Sequence, residues 1–204
     1  EHDRRLQVWC TDPVYQDLTS GNPVLKVLDH FAGVERHALP LSPQGFRIPG
    51  IEGLRFIACA LSSKAPPYSP HREHSQPGDN IGVTIVDEGS GARLFYAPGL
   101  GLMEPAVREA MHAAQCVLVD GTTWTDDELI ALGISKKRAR DIGHLAQSGA
   151  GGMIEQLDAL PSATRRILIH INNTNPILNE DGPERAELAR HRIEVAYDGM
   201  DIRL

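Results

Sequence analysis

The sequence predicts an α/β fold on a mixed sheet, in one domain over residues 1–204. Two observations carry that expectation. Strand-like runs at 81–86 and 93–97 flank Asp87-Glu88-Gly89-Ser90-Gly91, a hairpin loop rich in turn formers. From residue 104 onward, helical and strand patterns alternate, as parallel βαβ units require. Leu, Ile, Val and Phe supply 51 of the 204 residues, above the floor of roughly 20% below which chains stay disordered.

The elements follow in order. Leu6-Gln7-Val8-Trp9-Cys10 reads as a strand. Val24, Leu25, Val27, Leu28 and Phe31 form a helical stripe over 23–31, with Asn22 as N-cap, Pro23 at the first helical position and Gly33 as terminator. Residues 54–61 form a further strand-like run. The long segment 66–77 (PPYSPHREHSQP) is too rich in proline for helix or central strand, so it is a loop. A helix over 104–114 carries Pro105 in its first turn, and the strand at 116–119 ends at Asp120-Gly121. Thr125-Asp126-Asp127-Glu128 has the spacing of a capping box opening a helix to 132. A helix over 153–160, a strand over 165–171, a helix over 183–191 opened by Asp181, and a strand over 193–197 complete the chain.

Composition excludes several classes. A net charge of −7 argues against a nucleic-acid binder. No apolar run approaches the ~18 residues of a membrane span. Cys10, Cys59 and Cys116 form neither a disulfide framework nor a CxxC pair. The expectation is a soluble, cytoplasmic protein with no nucleic-acid partner and no membrane insertion. The opening Glu1-His2-Asp3-Arg4-Arg5 has no Met and no leader pattern, and the chain is expected to lack its true beginning.

Polar residues at strand ends are the candidate site. His170 lies inside the apolar run Ile167-Leu168-Ile169-His170-Ile171, directly before Asn172-Asn173-Thr174-Asn175. An imidazole there can bind a metal in a crevice, or be a core histidine bonded to backbone. Asp120 ends a strand in the same way, as ligand, orienting group, base or plain turn cap. His144 lies between Gly143 and the Gly149-Ala150-Gly151-Gly152 turn; it is a ligand contact or an exposed turn residue. No Lys-Ser/Thr follows those glycines, so a Walker phosphate loop is excluded. His71 and His74 sit in the proline-rich loop, as ligands, substrate contacts or exposed side chains. No G-x-S-x-G occurs, and a serine-hydrolase triad has no support.

The residues also carry a resemblance. Pro66-Pro67-Tyr68-Ser69-Pro70-His71-Arg72-Glu73-His74, Val117-Leu118-Val119-Asp120-Gly121-Thr122, Gly143-His144-Leu145, His170-Ile171-Asn172-Asn173-Thr174-Asn175-Pro176 and Tyr197-Asp198-Gly199-Met200 resemble the pyrroloquinoline quinone (PQQ) biosynthesis B family of the metallo-β-lactamase superfamily. The resemblance implies an αββα sandwich, N-terminally incomplete, with a metal at one edge of two facing sheets. The family's early Cys-rich zinc segment and its Asp-Gly-Glu-Ile-Asp-His metal motif occur nowhere in this sequence. Tyr96-Ala97-Pro98-Gly99 stands where many superfamily members carry a bridging Asp, which favours one metal over two.

As function, the resemblance implies Fe²⁺- and O₂-dependent hydroxylation of the tyrosine ring in a cross-linked Glu–Tyr intermediate. A carrier of PQQ or its precursor out of the cytoplasm, and a Zn²⁺ metallo-hydrolase, are the alternatives. The site expected is His170 as metal ligand, His144 and Asp120 as catalytic groups, and His71, His74, Asn173 and Asn175 as contacts to a small peptide-derived substrate. Pairing into a homodimer is left open. With one ligand of its own, the 204-residue stretch is expected to hold metal weakly by itself.

Overall fold

The structure, a computed structural model, describes residues 4–204. The chain begins with β1 (Leu6–Cys10), α1 (Asp12–Gln16) running into a π-turn at Asp17–Gly21, then α2 (Val24–Leu28) and β2 (Val34–Ala38). β1 and β2 pair in parallel, Leu6 opposite Val34 and Cys10 opposite Ala38. The helix expected over 23–31 is shorter. Pro23 caps it in place of Asn22, and Gly33 takes φ 78 after the closing turn. Only Leu25 of its apolar stripe is buried, while Val24, Val27 and Phe31 are exposed. An unpacked stripe does not sustain a long helix.

β3 (Leu54–Ala60), β4 (Ile81–Asp87) and β5 (Arg93–Ala97) precede the alternating half. That half runs α3 (Pro105–His112), β6 (Cys116–Asp120), α4 (Glu128–Ala131), α5 (Met153–Asp158), β7 (Arg165–Ile169), α6 (Pro183–Arg190) and β8 (Ile193–Val195). β3 to β8 form one six-stranded sheet in sequence order. β3, β4 and β5 are antiparallel neighbours, and β5 to β8 are parallel. The mixed sheet is thus the one expected, with its second sheet small.

Phe95, Val117, Val119 and Leu168 of the sheet pack with Val107 and Met111 of α3, Leu157 of α5 and Leu188 of α6. Each such side chain contributes about 1.5–3 kcal/mol by leaving water. Strand alternation turns Asp120 to the face opposite Val119, yet Asp120 is also fully buried.

Several expected element ends move. Glu128 does not reach back to Thr125; its carboxylate accepts the Trp124 N–H at 2.6 Å and the Thr174 hydroxyl at 2.6 Å. It therefore ties the loop after β6 to the loop after β7, and Asp127 caps α4. Gly182, not Asp181, caps α6. β7 ends at Ile169 because His170 adopts φ 55, off the extended backbone. No helix among the described residues is long and apolar enough to cross a membrane.

Candidate metal centre

β6 and β7 are parallel neighbours with Asp120 opposite Ile169, so Asp120 and His170 emerge at the same sheet edge. The carboxyl ends of parallel strands are where such sheets bind ligands. His144 arrives from the loop after a 3₁₀ turn at Arg140–Ile142, whose last step is Gly143 at φ 95. A Cβ on Gly143 would stand 2.5 Å from Ser63 Oγ and 2.9 Å from Lys64 N, so the approach requires glycine. Ligand atoms of Asp120, His144 and His170 then lie within 4.8 Å of one another.

The hydrogen bonds around Asp120 set the chemistry. Its Oδ1 accepts the Thr122 N–H at 2.9 Å and the Thr122 hydroxyl at 2.5 Å. Its Oδ2 accepts the Leu100 N–H at 2.9 Å and lies 2.6 Å from His144 Nδ1. An ionised carboxylate only accepts, so His144 must donate from Nδ1. Thr122 has one hydroxyl proton, given to Asp120, and its oxygen therefore accepts from His170 Nδ1 at 2.8 Å.

Both imidazoles are thereby held as Nδ1–H tautomers with the Nε2 lone pair free. Neither Nε2 has a hydrogen-bond partner among the described residues. The rings stack with centroids 5.2 Å apart and planes 21° apart, and both line one cleft of about 620 Å³. A ring whose Nδ1–H is given to a carboxylate or hydroxyl is the usual state of a metal-binding histidine. The donor set of two imidazoles beside a carboxylate fits Fe²⁺ or Zn²⁺. Asp120 already accepts four hydrogen bonds, so it suits the orienting role better than direct ligation. The left-handed φ of His170 stores strain of roughly 1–3 kcal/mol, as binding-site residues often do.

The remaining expected contacts do not gather here. His71 lies between Gln16 Oε1, 3.0 Å from its Nε2, and Gln76, and does not line the cleft. His74 and Asn173 are exposed and outside its walls. Asn175 is buried, with Nδ2 donating to Gly121 O at 2.9 Å and Oδ1 accepting the Ile177 N–H at 3.1 Å. Its amide is committed to backbone, so in this structure Asn175 shapes the strand ends. The proline-rich loop does face the cleft, through Pro66, Pro67, Tyr68 and Arg72.

The structure adds residues that sequence reasoning passed over. Asp17 is 2% exposed and lines the cleft with neither carboxylate oxygen paired, and Asp79 has one unpaired buried oxygen there. Asp17 lies in a segment that carried no periodic pattern. Thr122 follows Asp120-Gly121, and a hydroxyl after Asp-Gly reads equally as a turn residue.

Strand order and the edge where the histidines meet describe a domain with a candidate metal site on a β-lactamase-type scaffold. In agreement, the family model described as "Beta-lactamase superfamily domain" matches residues 1–171. Coenzyme PQQ synthesis protein B of Azoarcus sp. (strain BH72) is 60% identical over 204 residues, covering 100% of this chain and 67% of that protein. The protein of the same name from Methylococcus capsulatus is 56% identical, over 99% of this chain and 66% of its own length. The crystal structure of Zn(2+)-bound PqqB from Methylobacterium extorquens superposes with a TM-score of 0.82 at 27% identity, over 98% of this chain and 65% of that one. A diphosphatase of the PhnP family shares the fold, with a TM-score of 0.59 at 13% identity, over 98% and 59% of the two chains. The chain belongs to the coenzyme PQQ synthesis protein B family of the β-lactamase superfamily, and spans about two thirds of the length of the relatives it matches.

Proposed function

We propose that this cluster serves a metal-dependent hydroxylation in PQQ biosynthesis, on the tyrosine ring of a cross-linked Glu–Tyr intermediate. The observation that carries the reading is the pair of imidazoles fixed through Nδ1, both lining one cleft, with no hydrogen-bond partner at either Nε2 among the described residues. His170 would hold the metal through Nε2. His144, its ring anchored on the buried Asp120 carboxylate, would move a proton at its own Nε2 beside the substrate. Asp120 and Thr122 orient the two rings. Bound iron would supply the activation of O₂ that ring hydroxylation needs. The cleft walls of Pro66, Pro67, Tyr68 and Ile142 would exclude water around an aromatic ring.

The cytoplasm is the proposed compartment, in keeping with the three free thiols. Zn²⁺ is the alternative ion, supported by the Zn(2+)-bound relative, and would bring hydrolysis in place of oxidation.

The test compares protein loaded anaerobically with Fe²⁺ or Zn²⁺, supplied with the cross-linked intermediate, O₂ and ascorbate, whose two electrons take the second oxygen atom to water. Oxygen uptake with iron, and gain of one oxygen atom by the tyrosine ring, support the reading. Hydrolysis with zinc, or binding of the intermediate without turnover under either metal, refutes it. His170→Ala should lose most of the bound metal, and full occupancy with unchanged affinity would remove His170 as ligand.

A further inference from the structure

Glu128, the first residue of α4, is 7% exposed, and no Lys, Arg or His among the described residues is hydrogen-bonded to its carboxylate. A carboxylate in that position costs desolvation that an apolar side chain would avoid. What it supplies is two fixed acceptors. Oε2 takes the Trp124 N–H at 2.6 Å and Oε1 the Thr174 hydroxyl at 2.6 Å, short bonds of the charge-assisted kind. The Trp124 end is a firm anchor. Its side chain packs against the core, and its carbonyl accepts the Ser148 N–H at 2.9 Å and the Ser148 hydroxyl at 2.7 Å.

The Thr174 end leads to His170. With its proton given to Glu128, the Thr174 oxygen accepts from Asn172 Nδ2 at 2.6 Å, and Asn172 N donates to Thr122 O at 3.1 Å. The chain is thereby fastened at Asn172 and Thr174, just past His170. Between these fastenings and the end of β7 at Ile169, His170 takes φ 55. A non-glycine residue keeps left-handed backbone only where its surroundings over-determine it. In that conformation His170 Nδ1 lies 2.8 Å from Thr122 Oγ1.

We propose that Glu128 is a positioning residue for His170: through Thr174 and Asn172 it holds the turn after β7 in the left-handed form that presents the His170 ring to Thr122. Glu128 touches neither imidazole. The tie to Thr174 concerns His170 alone, since His144 arrives on the loop from Gly143. The proposal rests on the reading of the two imidazoles as a metal centre.

The test reads the histidine rings of the metal-free protein by nitrogen-15 NMR and the site by calorimetric titration with Zn²⁺. Thr174→Val removes the hydroxyl at nearly constant volume. It should shift the His170 ring nitrogens, leave those of His144 in place, and weaken Zn²⁺ binding about tenfold. Thr174→Ser restores the hydroxyl and should match the unsubstituted protein in both readouts. In Glu128→Gln one amide oxygen faces two donors, so the His170 signals should move in the same direction. Thr164→Val controls for stability alone: its buried hydroxyl donates to Ala114 O at 3.3 Å, beyond the opposite ends of β6 and β7. That variant should melt lower with its ring signals and Zn²⁺ affinity unchanged. Unmoved His170 signals in Thr174→Val or Glu128→Gln, a loss that Thr174→Ser does not restore, or equal losses in Thr164→Val overturn the proposal. His170→Ala separates the two claims. Zn²⁺ binding that survives this substitution refutes the metal centre, while the metal-free ring signals still decide the role of Glu128.

Discussion

Replacing Thr122 by valine would keep the volume of the side chain and remove only its hydroxyl. That oxygen links Asp120 Oδ1 to His170 Nδ1, so His170 would be free to rotate and to change tautomer. Metal affinity should fall roughly 10- to 100-fold, the usual effect of removing a group that orients a ligand. The stability cost should be about 1–2 kcal/mol, from buried partners left unpaired. Metal titration and thermal melting check the two effects separately. Unchanged metal affinity in Thr122→Val would show that His170 owes nothing to this hydrogen bond. His170 itself sits at φ 55, so His170→Gly should release strain while deleting the ligand, and melt no lower than His170→Ala.

The elements show why some features were legible and others were not. The 87–91 hairpin loop and the βαβ alternation each rest on local patterns, and both appear in the six-stranded sheet. The pairing of β1 with β2 joins segments nearly thirty residues apart, and no local period announces β2. His170 and Asp120 could be placed at strand ends because apolar runs stop there. That His144 joins them depends on Gly143, whose approach to Ser63 and Lys64 is a tertiary fact. His71, His74 and Asn175 carried suitable chemistry, but amide and backbone partners absorb His71 and Asn175 while His74 lies exposed, and a sequence does not display partners. Gly143→Ala therefore makes an element-scale prediction. Left-handed backbone and two overlaps should cost about 2 kcal/mol or more, a melting drop of roughly 4–8 °C at this chain length. His144 should be displaced with it, and a variant with native melting and native metal binding would contradict the role of this turn.

Across the whole molecule the three thiols give a pH dependence with a definite sign. Burial pushes the Cys116 thiol up to about 11, and raises Cys10 and Cys59 as well. A buried thiol favours its neutral form, so its contribution is complete below the ordinary value near 9 and is lost as pH rises toward 11. Stability to urea should decline across that interval by roughly 2 kcal/mol for Cys116 alone, and Cys116→Ala should remove that part of the slope. Alkylating reagents at pH 8 should leave Cys116 unmodified in the folded protein and label it in urea.

The same whole-molecule packing holds β6 and β7 side by side, so that Asp120 and His170 meet at one edge where the Gly143 turn delivers His144, and both imidazoles have Nδ1 occupied. Nitrogen-15 NMR of the histidine rings tests that arrangement most directly, first without metal and then with Zn²⁺ added. His144 and His170 should both appear as Nδ1–H tautomers, and the Nε2 resonance of His170 should shift when one equivalent of Zn²⁺ is added. Nε2–H tautomers at these two rings, or a His170 Nε2 signal that Zn²⁺ leaves unmoved, would contradict the account.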